Sequence, residues 1–399
     1  MSWLTYLSMP VLAAFIGYVT KLVAIEMMFR PVDFVGRPPL LGWQGIIPRH
    51  AGRMGSISMN LLLGRLIDVN QIIGRLEPEK FAEQLREPLT RAVTEVGTDL
   101  MTRHQPQLWE LLPDEVRRRL LRRIADQAPR TVAELTADIA RNPDSYLDVW
   151  DMALRNLIAD RSALNRLFRD IGAPEFTFIA RSGLYFGLVI GLLQAGVWAL
   201  THQPLVMPVF GAAIGLSTDW LALKMIFLPR EERRFFGVLR WQGLFQRRRD
   251  QVATDYAKLV ADEVLTAPKI MEALLTGPKS DRLLGLVQRR VSEVVDRQLG
   301  VVRPLVVLGV GSQRYRRFKA DVAARALELA PRAMGPAMAY AKDALAIEQT
   351  IVTAMRAMTP IEFESVLRPA FRQDEWKLIM VGGILGAIVG ELQVLLLIG

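Results

Sequence analysis

Residues 17–31, GYVTKLVAIEMMFRP, decide how the chain is organised, because a related stretch, GLSTDWLALKMIFLP, occupies residues 215–229. Glycine, threonine, alanine, methionine, phenylalanine and proline recur at matching places, displaced by 198 residues, since 215 − 17 = 198. The same displacement carries Trp-Gln-Gly at 43–45 onto Trp-Gln-Gly at 241–243, and Arg49 onto Arg247. So many matches at one displacement predict that the protein consists of two copies of one unit.

The hydropathy of the chain predicts a membrane protein. Charged residues make up 23% of its 399 residues, yet the mean hydropathy is +0.21, so the apolar residues must be concentrated in a few segments. Nearly uncharged runs occupy residues 4–18, 183–200, 205–228 and 378–398. About 20 apolar residues span the hydrocarbon core of a bilayer, so these runs predict four transmembrane helices. The alternative, four buried helices in a large soluble core, fits their length less well.

The duplication also predicts the domain boundaries, because each copy has a membrane helix at both ends and a long polar segment between them. Repeat unit 1 is predicted over residues 1–200, with membrane helices at about 3–29 and 183–200 and cytoplasmic helices at 51–181. Repeat unit 2 is predicted over residues 201–399, with membrane helices at about 205–228 and 378–398 and cytoplasmic helices at 250–377.

The distribution of arginine predicts the topology. The loops that follow the two motifs, residues 30–53 and 230–249, are rich in arginine, whereas the connection Thr-His-Gln-Pro at 201–204 contains no lysine or arginine. Basic loops next to membrane helices stay in the cytoplasm, so both loops and both large segments are predicted inside, with both termini outside. Two units with one orientation predict a pseudo-two-fold axis along the membrane normal.

The two large polar segments predict helices. In the first segment Phe81, Leu85, Leu89, Val93 and Val96 recur every three or four residues, as on the apolar face of a helix. No alternating run predicts a strand, so the predicted fold class is all-α: an integral membrane protein with four transmembrane helices and two helical cytoplasmic segments. Residues 299–311, LGVVRPLVVLGVG, fit either a pair of core helices or an interfacial segment.

Charged side chains within the predicted membrane helices are candidates for function, because a charge in the apolar slab needs a partner or a polar cavity. Lys21 aligns with Asp219 and Glu26 with Lys224, so opposite charges occupy equivalent positions. We hypothesise that they pair across the pseudo-axis, but positions five residues apart lie about 140° round a helix and cannot both face one seam. Alternatively, the two lysines extend to the cytoplasmic headgroups. The predicted polar seam comprises Thr20, Lys21, Glu26, Thr218, Asp219 and Lys224.

Two further sets of residues have predicted roles in the membrane. Small residues four apart let helices approach closely, and the predicted packing positions are Gly17, Gly187, Gly191, Gly211, Gly215, Gly386 and Gly390. Tryptophan and arginine suit the headgroup layer, where indole rings anchor and guanidinium groups contact phosphates. The predicted interfacial lipid contacts are Arg30, Trp43, Arg49, Arg230, Trp241, Arg247, Arg248 and Arg249. A substrate site at the Trp-Gln-Gly turns is the alternative.

Motifs of catalysis are missing from the sequence. There is no cysteine, and His50, His104 and His202 lie far apart. No GxGxxG, P-loop or GxSxG motif occurs. The basic run at 246–249 is explained by topology without a nucleic acid. We therefore expect no enzymatic activity, no cofactor, no metal site and no nucleic-acid partner.

The repeated motif resembles a known family. The motif has the pattern Gly-x-x-Thr-x-x-x-Ala-Ile/Leu-x-Met-x-Phe-x-Pro, and it is followed by a basic loop, helices and a glycine-rich closing helix ending in Leu-Gln. Over nearly the whole chain, this arrangement resembles the bacterial domain-of-unknown-function family 445. The resemblance implies a bacterial inner-membrane protein with helical soluble segments, and it implies no particular activity. Family members commonly carry asparagine after the motif threonine, where this sequence has Lys21 and Asp219.

Two classes of function follow. We expect a non-enzymatic, membrane-anchored helical scaffold that binds partners or anionic lipid at the cytoplasmic surface. The alternative is a transporter or lipid-transfer protein that uses the polar seam between the two repeats. Membrane lipids are the expected partners, with an unidentified protein and a second copy of the chain as further candidates. A continuous apolar groove along the cytoplasmic helices would favour lipid transfer, and a filled core would disfavour it.

Overall fold

The computed structural model describes residues 3–37, 41–104, 106–159, 161–235, 239–299, 311–372 and 375–397, and most of them are helical. The helices are α1 Trp3–Phe29, α2 Ile46–Arg49, α3 Ala51–Leu61, α4 Val69–Ile73, α5 Pro78–Gln84, α6 Arg86–His104, α7 Pro106–Leu111, α8 Asp114–Arg141, α9 Pro143–Tyr146, α10 Val149–Ala159, α11 Arg161–Ile171, α12 Ala173–Thr201, α13 Val206–Phe227, α14 Leu244–Arg247, α15 Arg249–Leu259, α16 Ala267–Thr276, α17 Ser280–Leu299, α18 Ser312–Ala333, α19 Gly335–Leu345, α20 Ile347–Ala357, α21 Pro360–Arg372 and α22 Glu375–Leu397. The all-α class is therefore confirmed. Residues 300–310, within the segment whose structure the sequence left open, lie outside the described residues.

Two short hairpins depart from the purely helical prediction. Strands β1 Val35–Arg37 and β2 Leu41–Trp43 pair antiparallel, as do β3 Arg233–Phe235 and β4 Leu239–Trp241. Each strand has three residues, which is too short for the alternation of apolar and polar residues that predicts a strand.

The Trp-Gln-Gly motifs close these hairpins in the same way at both places. Nε2 of Gln44 donates to the carbonyl oxygen of Val32 at 2.8 Å, and Nε2 of Gln242 donates to that of Arg230 at 3.3 Å. The glycine that follows each glutamine lies against the end of the preceding membrane helix. A Cβ atom on Gly45 would lie 2.8 Å from the carbonyl carbon of Phe29. The motifs therefore have a structural role in joining hairpin to helix.

Side-chain caps begin two helices at equivalent places. Asp68 accepts hydrogen bonds from the backbone N–H groups of Asn70 and Gln71 at the start of α4, at 3.0 and 3.3 Å. Thr266, displaced by 266 − 68 = 198 residues, accepts one from Lys269 at the start of α16, at 3.4 Å. Such caps satisfy N–H groups that lack a partner within the helix, each contributing about 1 kcal/mol.

The chain forms two compact units that do not follow its sequence halves. One contains residues 1–62, 154–259 and 351–399, and the other contains residues 63–153 and 260–350. Each unit therefore takes segments from both predicted repeats. We call the first the membrane unit, because it holds the apolar helices, and the second the helical unit.

Three helices of the membrane unit are long and apolar enough to cross a bilayer: Met9–Phe29, Ala173–Thr201 and Val206–Phe227. The fourth predicted span is shorter within the described residues, where its apolar part is Ile379–Leu395. Side chains such as Val11, Phe15, Val189 and Leu193 are more than half exposed on these helices, as expected for surfaces that face lipid.

Close backbone contacts hold the helices of the membrane unit together. A Cβ atom on Gly17 would lie 2.5 Å from the carbonyl oxygen of Gly183, and one on Gly187 would lie 2.7 Å from that of Ala13. These contacts join α1 to α12. All seven predicted packing glycines lie at such contacts, with Gly191 against α1 and Gly211, Gly215, Gly386 and Gly390 between α13 and α22.

Separate apolar clusters form the helical unit. One contains Phe81, Leu85, Ala337 and Ala341; another is built around Leu147, Leu274, Leu283, Val287 and Ala323; a third contains Val96, Leu100 and Leu329. Ion pairs reinforce the packing, because Arg290 of α17 donates from Nε to Asp138 of α8 at 3.0 Å.

We predict that Gly386→Ala destabilises the membrane unit by about 1–3 kcal/mol, because the new methyl group meets the backbone of Gly211 and overpacks the contact. Gly196→Ala on α12 is the matched control, since a Cβ atom there has no neighbour within 4 Å. Thermal unfolding of the purified protein in detergent measures both variants. Equal melting temperatures for Gly386→Ala and the wild type would contradict the role of close contact.

Candidate functional site

The membrane unit contains a buried ion pair. Lys21 of α1 donates from Nζ to Oδ1 of Asp219 on α13, and the two residues are only 3% and 7% exposed. The structure thus brings together the two positions that the sequence comparison aligned. Leaving one buried charge without its partner costs about 3–5 kcal/mol, so each side chain holds the other in place.

Two glycines make room for this ion pair. A Cβ atom on Gly183 of α12 would lie 2.7 Å from Cδ of Lys21, and one on Gly382 of α22 would overlap Oδ2 of Asp219. The glycines occupy equivalent places in the two predicted copies, since 382 − 183 = 199, the displacement that also relates the closing Leu-Gln motifs. Larger residues at these positions would displace the charged side chains.

A pair of glutamines lies in the same unit. Nε2 of Gln194 on α12 donates to Oε1 of Gln393 on α22 at 3.3 Å, and both side chains are buried. Nε2 of Gln393 has no partner within the described residues. A cavity of about 20 Å³ is lined by both the glutamines and the ion pair. This volume is enough for a water molecule and far below that of small-molecule sites, about 300–1,000 Å³.

The seam threonines bond within their own helices. Oγ1 of Thr20 donates to the carbonyl oxygen of Ile16 at 2.9 Å, and Oγ1 of Thr218 donates to that of Ile214 at 2.6 Å. Their hydroxyl groups therefore satisfy helix backbone and contribute no bond across the seam.

The second hypothesised charge pair does not form in the described structure. Glu26 instead contacts Arg30 at 3.0 Å and Arg169 of α11 at 3.1 Å. Nζ of Lys224 lies 4.4 Å from the centroid of the Trp220 ring. The reason is the helical angle: once Lys21 faces Asp219, a residue five positions later points elsewhere.

Besides Arg30, which contacts Glu26, three of the arginines predicted to contact lipid are held by contacts within the protein. Arg248 donates from Nη1 to both carboxylate oxygens of Glu175 at 2.9 Å. Arg230 donates from Nε to Oε2 of Glu364 at 2.5 Å. Arg249 donates to backbone carbonyl oxygens of α20 and the loop after it, at Met355, Arg356 and Met358. These contacts fix the loops, a role that the charge pattern alone did not indicate.

The other predicted interfacial residues are mostly accessible. Arg30, Trp43, Arg49 and Arg247 are exposed. Trp241 is half-buried and donates from Nε1 to the carbonyl oxygen of Leu228 at 3.3 Å. Lipid contact by the exposed residues stays a prediction.

The helical unit contains a large apolar cavity. Its volume is about 970 Å³, at the upper end of the range for small-molecule sites. Helices α4, α5, α6, α8, α16, α17, α18 and α19 all contribute lining residues. Most of these are leucine, isoleucine, valine, alanine or methionine.

The apolar face predicted from the sequence lines this cavity. Phe81, Leu85, Leu89, Val93 and Val96 are all among the lining residues. Periodicity therefore located the face correctly. It did not show that the facing helices leave a space, because the distance between helices depends on residues far apart in sequence.

Charged lining residues gather where α6 ends and α18 begins. Arg103 and His104 belong to the last turn of α6, and Arg314, Arg317 and Asp321 to the first three turns of α18. Nε2 of His104 lies 3.0 Å from Oδ2 of Asp321. In the described part of the chain, no group of three or more histidine, aspartate or glutamate residues is placed to hold a metal ion.

Several of these residues were not predicted from the sequence. Gln194 and Gln393 belong to the closing Leu-Gln motifs, and an amide in an apolar helix is itself a signal of a polar contact. Gly183 and Gly382 could not be recognised from the sequence as contacts of the ion pair, because glycine is common in membrane helices. Their importance follows from the side chains that pass over them.

Comparisons with known proteins identify bacterial relatives. The chain is similar to a "UPF0754 membrane protein" of Microcystis aeruginosa (strain NIES-843 / IAM M-2473), 23% identical over 427 residues, covering 99% of this chain and 97% of the relative. A relative with the same family name in Nostoc sp. (strain PCC 7120 / SAG 25.82 / UTEX 2576) is 23% identical over 98% of this chain and 95% of its own length. A relative in Bacillus pumilus (strain SAFR-032) is 33% identical over 119 residues, 29% of this chain and 31% of the relative.

No family model and no solved structure matches the chain. The resemblance to family 445 therefore stays a prediction. The relatives are bacterial proteins named as membrane proteins, and the apolar helices of this chain agree with them. The chain is thus a multi-pass membrane protein.

We predict that Lys21→Ala or Asp219→Ala alone lowers stability by about 3–5 kcal/mol, because each leaves a buried charge unpaired. The exchange Lys21→Asp with Asp219→Lys should recover part of the loss, since the opposite charges are kept. Thermal unfolding in detergent measures the single and double variants. If both single variants melt at the wild-type temperature, the ion pair has no role in stability.

Proposed function

We propose that the protein is a lipid-handling protein of the bacterial cytoplasmic membrane, and that its helical unit binds the acyl chains of a lipid. The observation that carries the proposal is the apolar cavity of about 970 Å³. Each methylene group that leaves water for such a site contributes about 0.8 kcal/mol. A cavity lined by aliphatic side chains over several helices suits a long flexible chain.

The size of the cavity supports an apolar occupant. The space is partly open to solvent, and its aliphatic lining forgoes about 25 cal/mol for each Å² of apolar surface that it leaves against water. Protein interiors are otherwise packed with few voids larger than a water molecule. A bound acyl chain would remove this cost.

The polar seam of the membrane unit supports a transport route less well. Its cavity of about 20 Å³ is too small for a lipid or an organic solute, and the ion pair lies against it. We therefore place lipid handling in the helical unit and give the seam a role in helix association. A non-enzymatic scaffold stays the second candidate, favoured by the exposed arginines at the hairpins.

The proposed architecture is that of two fused copies with four membrane spans. Support comes from the equivalent hairpins, the equivalent glutamine contacts and the packing of α22 along α13. In this architecture a pseudo-two-fold axis runs along the membrane normal, the polar segments lie in the cytoplasm and both termini lie outside. Because the chain has no cysteine, single-cysteine variants report topology without background.

For lipid binding we predict that Ala330→Trp reduces labelling by a phospholipid with a photoreactive group at the end of its acyl chain. Ala330 lines the cavity, so the indole ring takes the space of the chain. The full-length protein in lipid nanodiscs is irradiated and digested, and labelled peptides are mapped by mass spectrometry. Labelling of α5 and α8 should fall by about tenfold, which corresponds to a loss of about 1.4 kcal/mol.

The matched control for this experiment is Ala324→Trp. Ala324 lies on the same helix but is exposed, so its substitution should leave the labelling unchanged. If wild-type labels occur only on the membrane helices and never on the cavity lining, the proposed function is wrong.

For topology we predict that His202→Cys reacts with a membrane-impermeant thiol reagent in intact cells, whereas Arg49→Cys reacts only after the cells are lysed. The arginine-free connection and the basic loops then lie on opposite sides of the membrane, as the positive-inside rule requires. Equal reaction of both variants in intact cells would contradict the proposed topology.

A further inference from the structure

We infer that the lipid of the helical unit is an anionic phospholipid, whose phosphate group lies beside Arg314, Arg317, Arg103 and His104. This inference rests on the proposed lipid-binding function and names the class of ligand.

The charged residues define a polar end of the cavity. Arg103 and His104 end α6, and Arg314 and Arg317 lie in the first two turns of α18. The ring of His104 lies 5.7 Å from that of Phe318 on α18, which brings these two helix ends together. Further along, α6 and α18 meet through Val96, Leu100 and Leu329, so that the lining becomes apolar away from this end.

The two arginines of α18 face the same way. Residues three apart are neighbours on a helix surface, and both Arg314 and Arg317 line the cavity. Helix α18 has 22 residues and begins without a side-chain cap. Its first N–H groups and the positive end of its dipole therefore lie at the same place as the arginines.

Positive charge exceeds negative charge at this end. Asp321 is the acidic residue among the described lining residues, and it contacts His104 at 3.0 Å. Arg103 contacts Asp99 at 2.8 Å. On the same helix, Lys319 contacts Asp296 and Arg325 contacts Glu328. No ion pair is found for Arg314 or Arg317 within the described residues, so both are available to an anion.

A phosphate group fits this arrangement better than a neutral head or a carboxylate. Guanidinium groups form paired, charge-assisted hydrogen bonds to phosphate oxygen atoms. A phosphate offers oxygen atoms in several directions and can meet arginines from two helices, whereas a carboxylate has two oxygen atoms in one plane. The apolar cavity then takes the acyl chains. Arg314 and Arg317 thus contact the head group, and Arg103 of α6, which also pairs with Asp99, lies beside it.

The test compares head groups on one set of acyl chains. Full-length protein in nanodiscs is labelled with photoreactive-tail forms of phosphatidylglycerol, phosphatidic acid, diacylglycerol and a fatty acid, and label on the cavity lining is mapped by mass spectrometry. We expect the two phospholipids to label the lining about tenfold more than diacylglycerol, the ratio that one charge-assisted contact supplies. The fatty acid should fall near diacylglycerol.

Charge reversal at the polar end provides the second arm. Arg314→Glu with Arg317→Glu should reduce phospholipid labelling to the level of diacylglycerol while leaving diacylglycerol labelling intact, which also shows that the cavity is still folded. Arg314→Gln with Arg317→Gln should give an intermediate result. The matched control is Arg119→Glu with Arg122→Glu, two exposed arginines of α8 with the same spacing and outside the cavity lining; labelling should stay unchanged.

The outcomes separate this inference from the function on which it rests. If diacylglycerol and the phospholipids label the lining equally, and charge reversal changes neither, the anionic head group is wrong and lipid binding stands. Stronger labelling by the fatty acid than by either phospholipid also overturns the phosphate assignment. If no probe labels the lining, both the inference and the proposed function are wrong.

Discussion

Backbone contact at glycines is the constraint on which the membrane unit depends. In a bilayer, apolar side chains gain little by leaving the lipid tails to pack against one another, so helices associate where their backbones come close. Here Gly17 meets Gly183, and Gly215 meets Gly382. The same close approach leaves room for Lys21 and Asp219 to lie across the helices. The ion pair and the packing are therefore not separate features, because both require the same glycines.

The buried polar groups of this unit have a common arrangement. One ion pair and one glutamine pair each join residues at equivalent places of the two predicted copies. Because the predicted copies differ in sequence, an equivalent position can hold lysine in one and aspartate in the other. Two identical copies would place like charges together at this position, and the differences between them allow attraction in place of repulsion.

The helical unit is packed differently from the membrane unit. Its helices carry apolar faces, but the apolar residues form several clusters around a cavity instead of one continuous core. A scaffold needs a filled core for rigidity, whereas a lipid-binding unit needs apolar surface that remains available. The cavity is apolar along its length and has arginines at one end, so its lining matches the apolar chains and charged head of a phospholipid.

The sequence by itself determined the helical class, the apolar membrane helices, the packing glycines and the apolar face that includes Phe81 and Leu85. These properties are local, because periodicity and run length follow from neighbouring residues. Tertiary structure alone decided that Lys21 pairs with Asp219 and Glu26 with Arg169. It also decided that Arg248 pairs with Glu175, and that the apolar helical faces line a cavity. Such contacts join residues far apart in the chain, and their distances depend on how whole helices pack, which no local pattern records.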